Sequence, residues 1–262
     1  MKKQTIIRLM TGLLFAWIGA ACTDDVSGGF NNSDESGKGG SMARFTINGD
    51  FLYTVDDQKL KLFDLADAAH PLYLSGKDQL LGFGIETIST LDTLLLIGSQ
   101  DGMYIYSIKR PAFPNFLSQT QHLRSCDPVV TSGNYAYVTL NSENVWCGSA
   151  TNVLDIYDIS DPKEPILKNT LPLNYPKGLG VDGNRLFICE KSTGIKVFDI
   201  QDPLQPVWID DLSYIPEMQN IDTYDVIPLN GLLLVSARKG FYQLDYTGEK
   251  LQYLSKIEIE EE

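Results

Sequence analysis

A twelve-residue pattern recurs along this chain, and no other feature restricts its fold as strongly. Residues 154–165 read Leu-Asp-Ile-Tyr-Asp-Ile-Ser-Asp-Pro-Lys-Glu-Pro, and residues 195–206 read Ile-Lys-Val-Phe-Asp-Ile-Gln-Asp-Pro-Leu-Gln-Pro. Looser copies run from Leu60 to Pro71 and from Met103 to Pro114, and an eroded fifth runs from Phe241 to Gln252. A unit this short cannot bury its own apolar face, so successive units must stack on one another.

Within each copy polar and apolar residues alternate and β-branched and aromatic types dominate, the signature of a short strand. Asp-Pro-x-x-Pro then fixes φ at its prolines and offers Asp161 or Asp202 for an Asx-turn, so the chain must reverse. A further strand follows, as in 166–169 or 207–210. Two short apolar runs around a turn precede each copy, for example about Asn48-Gly49, Gly133-Asn134 and Asp182-Gly183-Asn184. Each unit is therefore a four-stranded antiparallel meander. Taking Asp64, Ser107, Asp158, Asp199 and Asp245 as equivalent, the spacings are 43, 51, 41 and 46 residues. That period belongs to propeller blades, and the expected fold is all-β: a five-bladed β-propeller of four antiparallel strands per blade, over residues 42–262. Its rivals are a six-bladed ring with a degenerate blade and a ring closed by a partner.

The pattern Leu/Ile-x-Val/Ile-x-Asp-Ile/Leu-x-Asp-Pro-x-x-Pro resembles the LVIVD repeat of bacterial cell-surface and secreted propeller proteins. The match is close at 154–165 and 195–206 and weak at 103–114, where Ser107 and Arg110 replace the aspartates. The resemblance implies the fold and carries no catalytic residue.

Residues 1–21 read as a secretory signal, with Lys2, Lys3 and Arg8 ahead of and within an apolar run that ends in small residues. The run is too short for a trustworthy membrane span. Ile18-Gly19-Ala20-Ala21-Cys22 resembles a bacterial lipobox, which implies lipidation at Cys22; the alternative is an ordinary signal peptide with an incidental cysteine. Thr23-Asp24-Asp25 and the Gly/Ser/Asn-rich stretch that completes 22–41 resemble the tethers of Bacteroides-type surface lipoproteins, which implies an outer-membrane, surface-exposed location reached only through the lipid. The whole chain carries 21 basic and 34 acidic residues; without residues 1–21, which hold three basic and no acidic ones, the net charge is −16. Such a surface repels nucleic acid and anionic lipid.

Among the remaining cysteines, Cys126 and Cys147 flank connections expected on one face, so a disulfide pinning the insertion near 141–152 is one reading and two free thiols the other. Cys189 is expected to be a small buried hydrophobe. Two histidines and the lack of Gly-x-Ser-x-Gly or Cys-x-x-Cys leave little material for a triad or a zinc site. Gly82-Phe83-Gly84 is read as a turn between blades.

Aligning the inner strands on their turn glycines superposes Ala43, Glu86, Asp127, Lys177 and Asp225 at one end of the channel. Three acids there suit a hard cation such as Ca²⁺ or sugar hydroxyls; otherwise they are solvated charges. Phe83, Arg124, Trp146, Tyr175, Tyr214 and Tyr224 fall in connections on the same rim, where aromatic faces stack on sugars or anchor proteins. Trp208, on an outer strand, is expected to pack between blades. The leading expectation is a monomeric surface lipoprotein whose propeller recognises an extracellular glycan or protein, with no required cofactor. The alternatives are a glycoside-processing enzyme using funnel carboxylates and a docking platform in an envelope complex.

Overall fold

The computed structural model describes residues 40–121, 128–141, 151–191 and 193–259. Its sheets are five antiparallel meanders in chain order. Blade 1 holds β1 (Phe45–Asn48), β2 (Phe51–Val55), β3 (Lys59–Asp64) and β4 (Leu72–Tyr73), with β5 (Gln79–Leu80) added beside β3. Blade 2 holds β6 (Ile85–Leu91), β7 (Leu94–Ser99), β8 (Gly102–Ser107) and β9 (Asn115–Gln121). Blade 3 holds β10 (Val129–Ser132), β11 (Tyr135–Leu140), β12 (Val153–Asp158) and β13 (Ile166–Pro172). Blade 4 holds β14 (Pro176–Asp182), β15 (Arg185–Glu190), β16 (Gly194–Asp199) and β17 (Val207–Asp211). Blade 5 holds β18 (Thr223–Leu229), β19 (Leu232–Ala237), β20 (Gly240–Asp245) and β21 (Gln252–Glu258). The inner strands β1, β6, β10, β14 and β18 line one central channel, which makes the ring a five-bladed β-propeller, as the repeat requires.

The repeat motif works in the same way in each blade. Its first aspartate accepts a backbone N–H two residues on: Asp64 from Ala66 at 2.8 Å, Asp158 from Ser160 at 3.0 Å, Asp199 from Gln201 at 2.7 Å. Asp245 accepts from Thr247 at 2.6 Å, so the eroded copy keeps the turn without its Asp-Pro. In blade 2 the Ser107 hydroxyl takes that role less well, at 3.4 Å. The second aspartate repeats the device at Asp67, Asp161 and Asp202. These side chains satisfy backbone donors that a strand ladder leaves bare, and so they stop the strand and turn it.

The turns also dock on the preceding blade. The Tyr53 hydroxyl donates to Pro111 O, Ser118 Oγ to Pro162 O, and Asn169 Nδ2 to Leu204 O, at 3.0, 2.6 and 2.7 Å. The Tyr246 hydroxyl reaches back to Asp182 at 2.6 Å. Between blades 1 and 2, 2 and 3, 3 and 4, and 4 and 5 the alternating apolar side chains form four separate cores. Each fully buried leucine in them contributes roughly 1.5–3 kcal/mol. Cys189 lies in the last of these cores, buried as expected, and burial pushes its thiol pKa up. Trp208 departs from expectation: it is 56% exposed on the outer strand, donating Nε1–H to Asp210 O. It is an edge residue because β17 has no further strand to cover it. Among the described residues no helix is long and apolar enough to cross a membrane.

Candidate functional site

The channel mouth is built where the inner strands begin, and three of them are irregular at the same level. The ladder slips between Ile85 and Thr87, between Pro176 and Leu179, and between Thr223 and Asp225. A β-bulge at a barrel or propeller rim turns side chains off the sheet face and toward the opening. Glu86, Lys177 and Tyr224 sit in these bulges at equivalent distance from their hairpin turns.

This register corrects the alignment expected from glycine positions. In blades 1, 3 and 4 the glycine is the first residue of the two-residue turn (Gly49, Gly133, Gly183), whereas in blade 5 it is the second, after Asn230. Asn230 itself adopts φ 48°, a left-handed conformation that asparagine tolerates. Asp225 therefore falls one residue deeper than Glu86 and Lys177, level with Thr87 and Gly178.

That single step changes what Asp225 does. Its carboxylate is held by the segment that leads into blade 1: Ser41 Oγ donates to Oδ1 at 2.9 Å and Met42 N–H to Oδ2 at 3.1 Å. Val226 N–H donates to Oδ1 at 3.0 Å. Burial raises the Asp225 pKa, and these donors oppose the rise. Ser41 Oγ also accepts Leu179 N–H at 2.7 Å, and Ala43 O accepts Ile88 N–H at 3.0 Å. Residues 40–43 thus form a strap over the mouth, tied to blades 2, 4 and 5. Gly178 is required beside it, since a Cβ there would lie 2.2 Å from Asp225 Oδ1. Below the strap the channel holds about 140 Å³ and is walled in part by Thr46, Ser89, Thr90 and Thr131. Ligand pockets for drug-sized molecules run to roughly 300–1,000 Å³, so this space lies below that range and has room for waters or a very small molecule. The buried Ser89 Oγ has no hydrogen-bond partner among the described residues.

The other expected funnel charges are separately engaged. Glu86 accepts from Gln100 Nε2 at 3.1 Å; burial raises its pKa while Gln100 and Arg44 oppose that. Lys177 pairs with Asp222 at 2.8 Å and lies 4.7 Å above the Tyr224 ring. Asp127 lies outside the described residues, as do Arg124, Trp146, Cys126 and Cys147 of the rim and disulfide expectations, and Cys22. Among the described residues no cluster of three His, Cys, Asp or Glu suits a metal.

On the rim, Phe83 is 58%, Tyr175 41% and Tyr224 38% exposed. Tyr214 is as exposed as Tyr175, at 41%, and its hydroxyl lies 2.9 Å from both Asp210 Oδ2 and Leu251 O, which share its one proton. Tyr175 stands at φ 47°, a strained conformation for a bulky residue. Its loop is clamped by Asn174 N–H donating to Glu190 Oε1 at 2.9 Å and Lys191 N–H donating to Tyr175 O at 3.2 Å. Glu190 is fully buried and also accepts from Thr193 Oγ1 at 2.8 Å and from Lys196 Nζ at 3.1 Å. Sequence reasoning missed Glu190, Asp222 and the strap. An acid closing the apolar run Leu186-Phe187-Ile188-Cys189 was the available signal for Glu190.

Comparison with known proteins adds the repeat and the fold. Residues 124–171 match the LVIVD repeat model. No curated protein matches the chain. Among solved structures it is similar to the computationally designed Ika8 protein, at 13% identity over 81% of this chain and 60% of that one, TM-score 0.58. A functionally unknown protein from Desulfotomaculum acetoxidans matches at 12% identity over 82% of this chain and 69% of the other, TM-score 0.67. Apo AztD from Citrobacter koseri matches at 14% identity, 82% and 64% coverage, TM-score 0.57. The chain thus spans about three fifths to two thirds of the length of these structures. At such identities the likeness is one of fold, and the chain is established as a β-propeller carrying an LVIVD repeat.

Proposed function

We propose that this protein is a recognition module that binds an extracellular glycan on the rim of its propeller, over blades 4 and 5. The observation that carries this reading is the strap: with residues 40–43 bound across the inner strands, the exposed Tyr175 and Tyr224 and the partly accessible Lys177–Asp222 pair form a polar-aromatic surface beside it. Exposed tyrosines offer rigid stacking area, and the ion pair offers donors and acceptors for hydroxyls. Strain stored at Tyr175 and paid for by the Glu190 clamp is the kind of cost that functional sites retain. The module acts as a monomer at the outer membrane surface, lipid-anchored through Cys22, and its acidic surface keeps it from nucleic acid.

Isothermal titration against plant and host polysaccharide fragments tests the binding reading, with Tyr175→Ala and Tyr224→Ala as site variants. Loss of at least tenfold in affinity in either variant supports it. Binding unchanged in both refutes this site. Mass spectrometry of the membrane form against Cys22→Ala tests the anchor. A second reading, a docking platform, draws on Val207, Trp208 and Ile209, three consecutive exposed apolar residues on the uncovered edge of blade 4.

A further inference from the structure

Among the described residues, the four seams with apolar cores account for every junction of the ring except the one between blade 5 and blade 1. The register shows what stands there. In blade 4, the side chains turned toward blade 5 are Phe187, Cys189, Ile195 and Val197, all buried. The positions of blade 5 that correspond to them are Leu234, Ser236, Phe241 and Gln243. Leu234, Ser236 and Gln243 are half-buried, and Phe241 is 52% exposed.

The facing side of blade 1 repeats the finding. Leu186, Ile188, Phe198 and Ile200 of blade 4 are buried in the core shared with blade 3. Their counterparts in blade 1 are Leu52, Thr54, Phe63 and Leu65, each half-buried. Neighbouring blades make close strand-to-strand contacts at the other four seams, and β18 makes no comparable contact with β1. Two of the blade 5 positions are polar, so water is tolerated where the other seams exclude it. Among the described residues each blade also takes all its strands from one continuous stretch of chain, and no described strand is exchanged across the closing seam.

The described link across that seam is the strap. Ser41 and Met42 reach from the blade 1 side to the half-buried Asp225 of blade 5, and Gly40 lies so close that a Cβ there would meet Asp225 Oδ2 at 2.0 Å. We propose that residues 40–43 are a detachable latch, and that its release opens the seam between blades 5 and 1 while the four cored seams stay closed. The half-buried apolar faces of the two blades are then uncovered together.

Amide hydrogen exchange on the full chain tests this, comparing the wild type with Gly40→Ala and Asp225→Ala. Gly248→Ala serves as control, because nothing lies within 3.8 Å of the added Cβ there. Latch release predicts exchange at least tenfold faster in Leu232–Ala237, Gly240–Asp245, Phe51–Val55 and Lys59–Asp64, with Tyr135–Leu140 and Val153–Asp158 unchanged. Equal acceleration in all blades, or none in blades 1 and 5, overturns it. Should Gly40→Ala fail to fold, Ser41→Ala removes one hydroxyl only and is read by the same criteria.

Discussion

Glu190→Ala is expected to lower stability by about 3 kcal/mol and to release the Tyr175 loop at the same time. The carboxylate is fully buried and takes Asn174 N–H, Thr193 Oγ1 and Lys196 Nζ, so its removal strands three donors at one point. Removing one partner of a buried ion pair costs roughly 3–5 kcal/mol. The lower end applies here, because the Lys196 side chain is 23% exposed and can turn its ammonium to water. For a domain of this size, 1 kcal/mol moves Tm by about 2–4 °C, so a fall of roughly 6–12 °C follows. Urea unfolding followed by circular dichroism, run on Glu190→Ala, Lys196→Met and the double variant, reads the cost and the coupling. The double variant should be clearly less destabilised than the sum of the singles, since each single leaves the other's partner unsatisfied. A loss under about 1 kcal/mol, or strict additivity, refutes the clamp. So does wild-type glycan affinity in Glu190→Ala, because a freed loop no longer holds Tyr175 at positive φ.

Tyr175→Asn should stabilise the fold by up to about 1 kcal/mol, asparagine being at ease in the left-handed region, while losing binding; thermal melts and titration together check this trade. Leu186→Ala should cost roughly 2–5 kcal/mol and Leu52→Ala, its counterpart at the uncored seam, less than half as much in the same urea assay. Asp199→Ala should cost about 1 kcal/mol through loss of the Gln201 hydrogen bond, and Asp199→Asn should keep most of it, since asparagine also makes Asx-turns. Burial raises the Asp225 pKa, so the fold disfavours its ionised form; that penalty is absent below the unfolded pKa and sets in as pH rises through the folded one. The Tm of Asp225→Asn relative to wild type should therefore climb between pH 4 and pH 7, and a relative Tm that falls over that range refutes the burial argument.

The repeat and the turn residues between its copies by themselves determined the four-stranded blade and the strand order within it, and the period of the repeat pointed to five blades. These are local matters: alternation sets which side chains face a neighbouring sheet, and an aspartate two residues before a bare N–H makes its turn without help from elsewhere. Exposed Tyr175, Tyr224 and Phe83 were legible on the same ground, as residues in connections between blades. Register at the channel mouth was not, because the turn of blade 5 carries its glycine second and the three bulges shift side chains by one position, a choice made by packing across strands. Tertiary structure alone turned Asp225 from a funnel ligand into the anchor of a strap drawn from 183 residues away in sequence. It alone brought Lys177 onto Asp222 and Tyr224 and set Glu190 under Tyr175. It also left Trp208 in solvent, because an outermost strand has an inner neighbour and no outer one. Repetition dictates what every blade does in common; what happens where the last blade meets the first depends on two stretches of sequence that no local pattern joins.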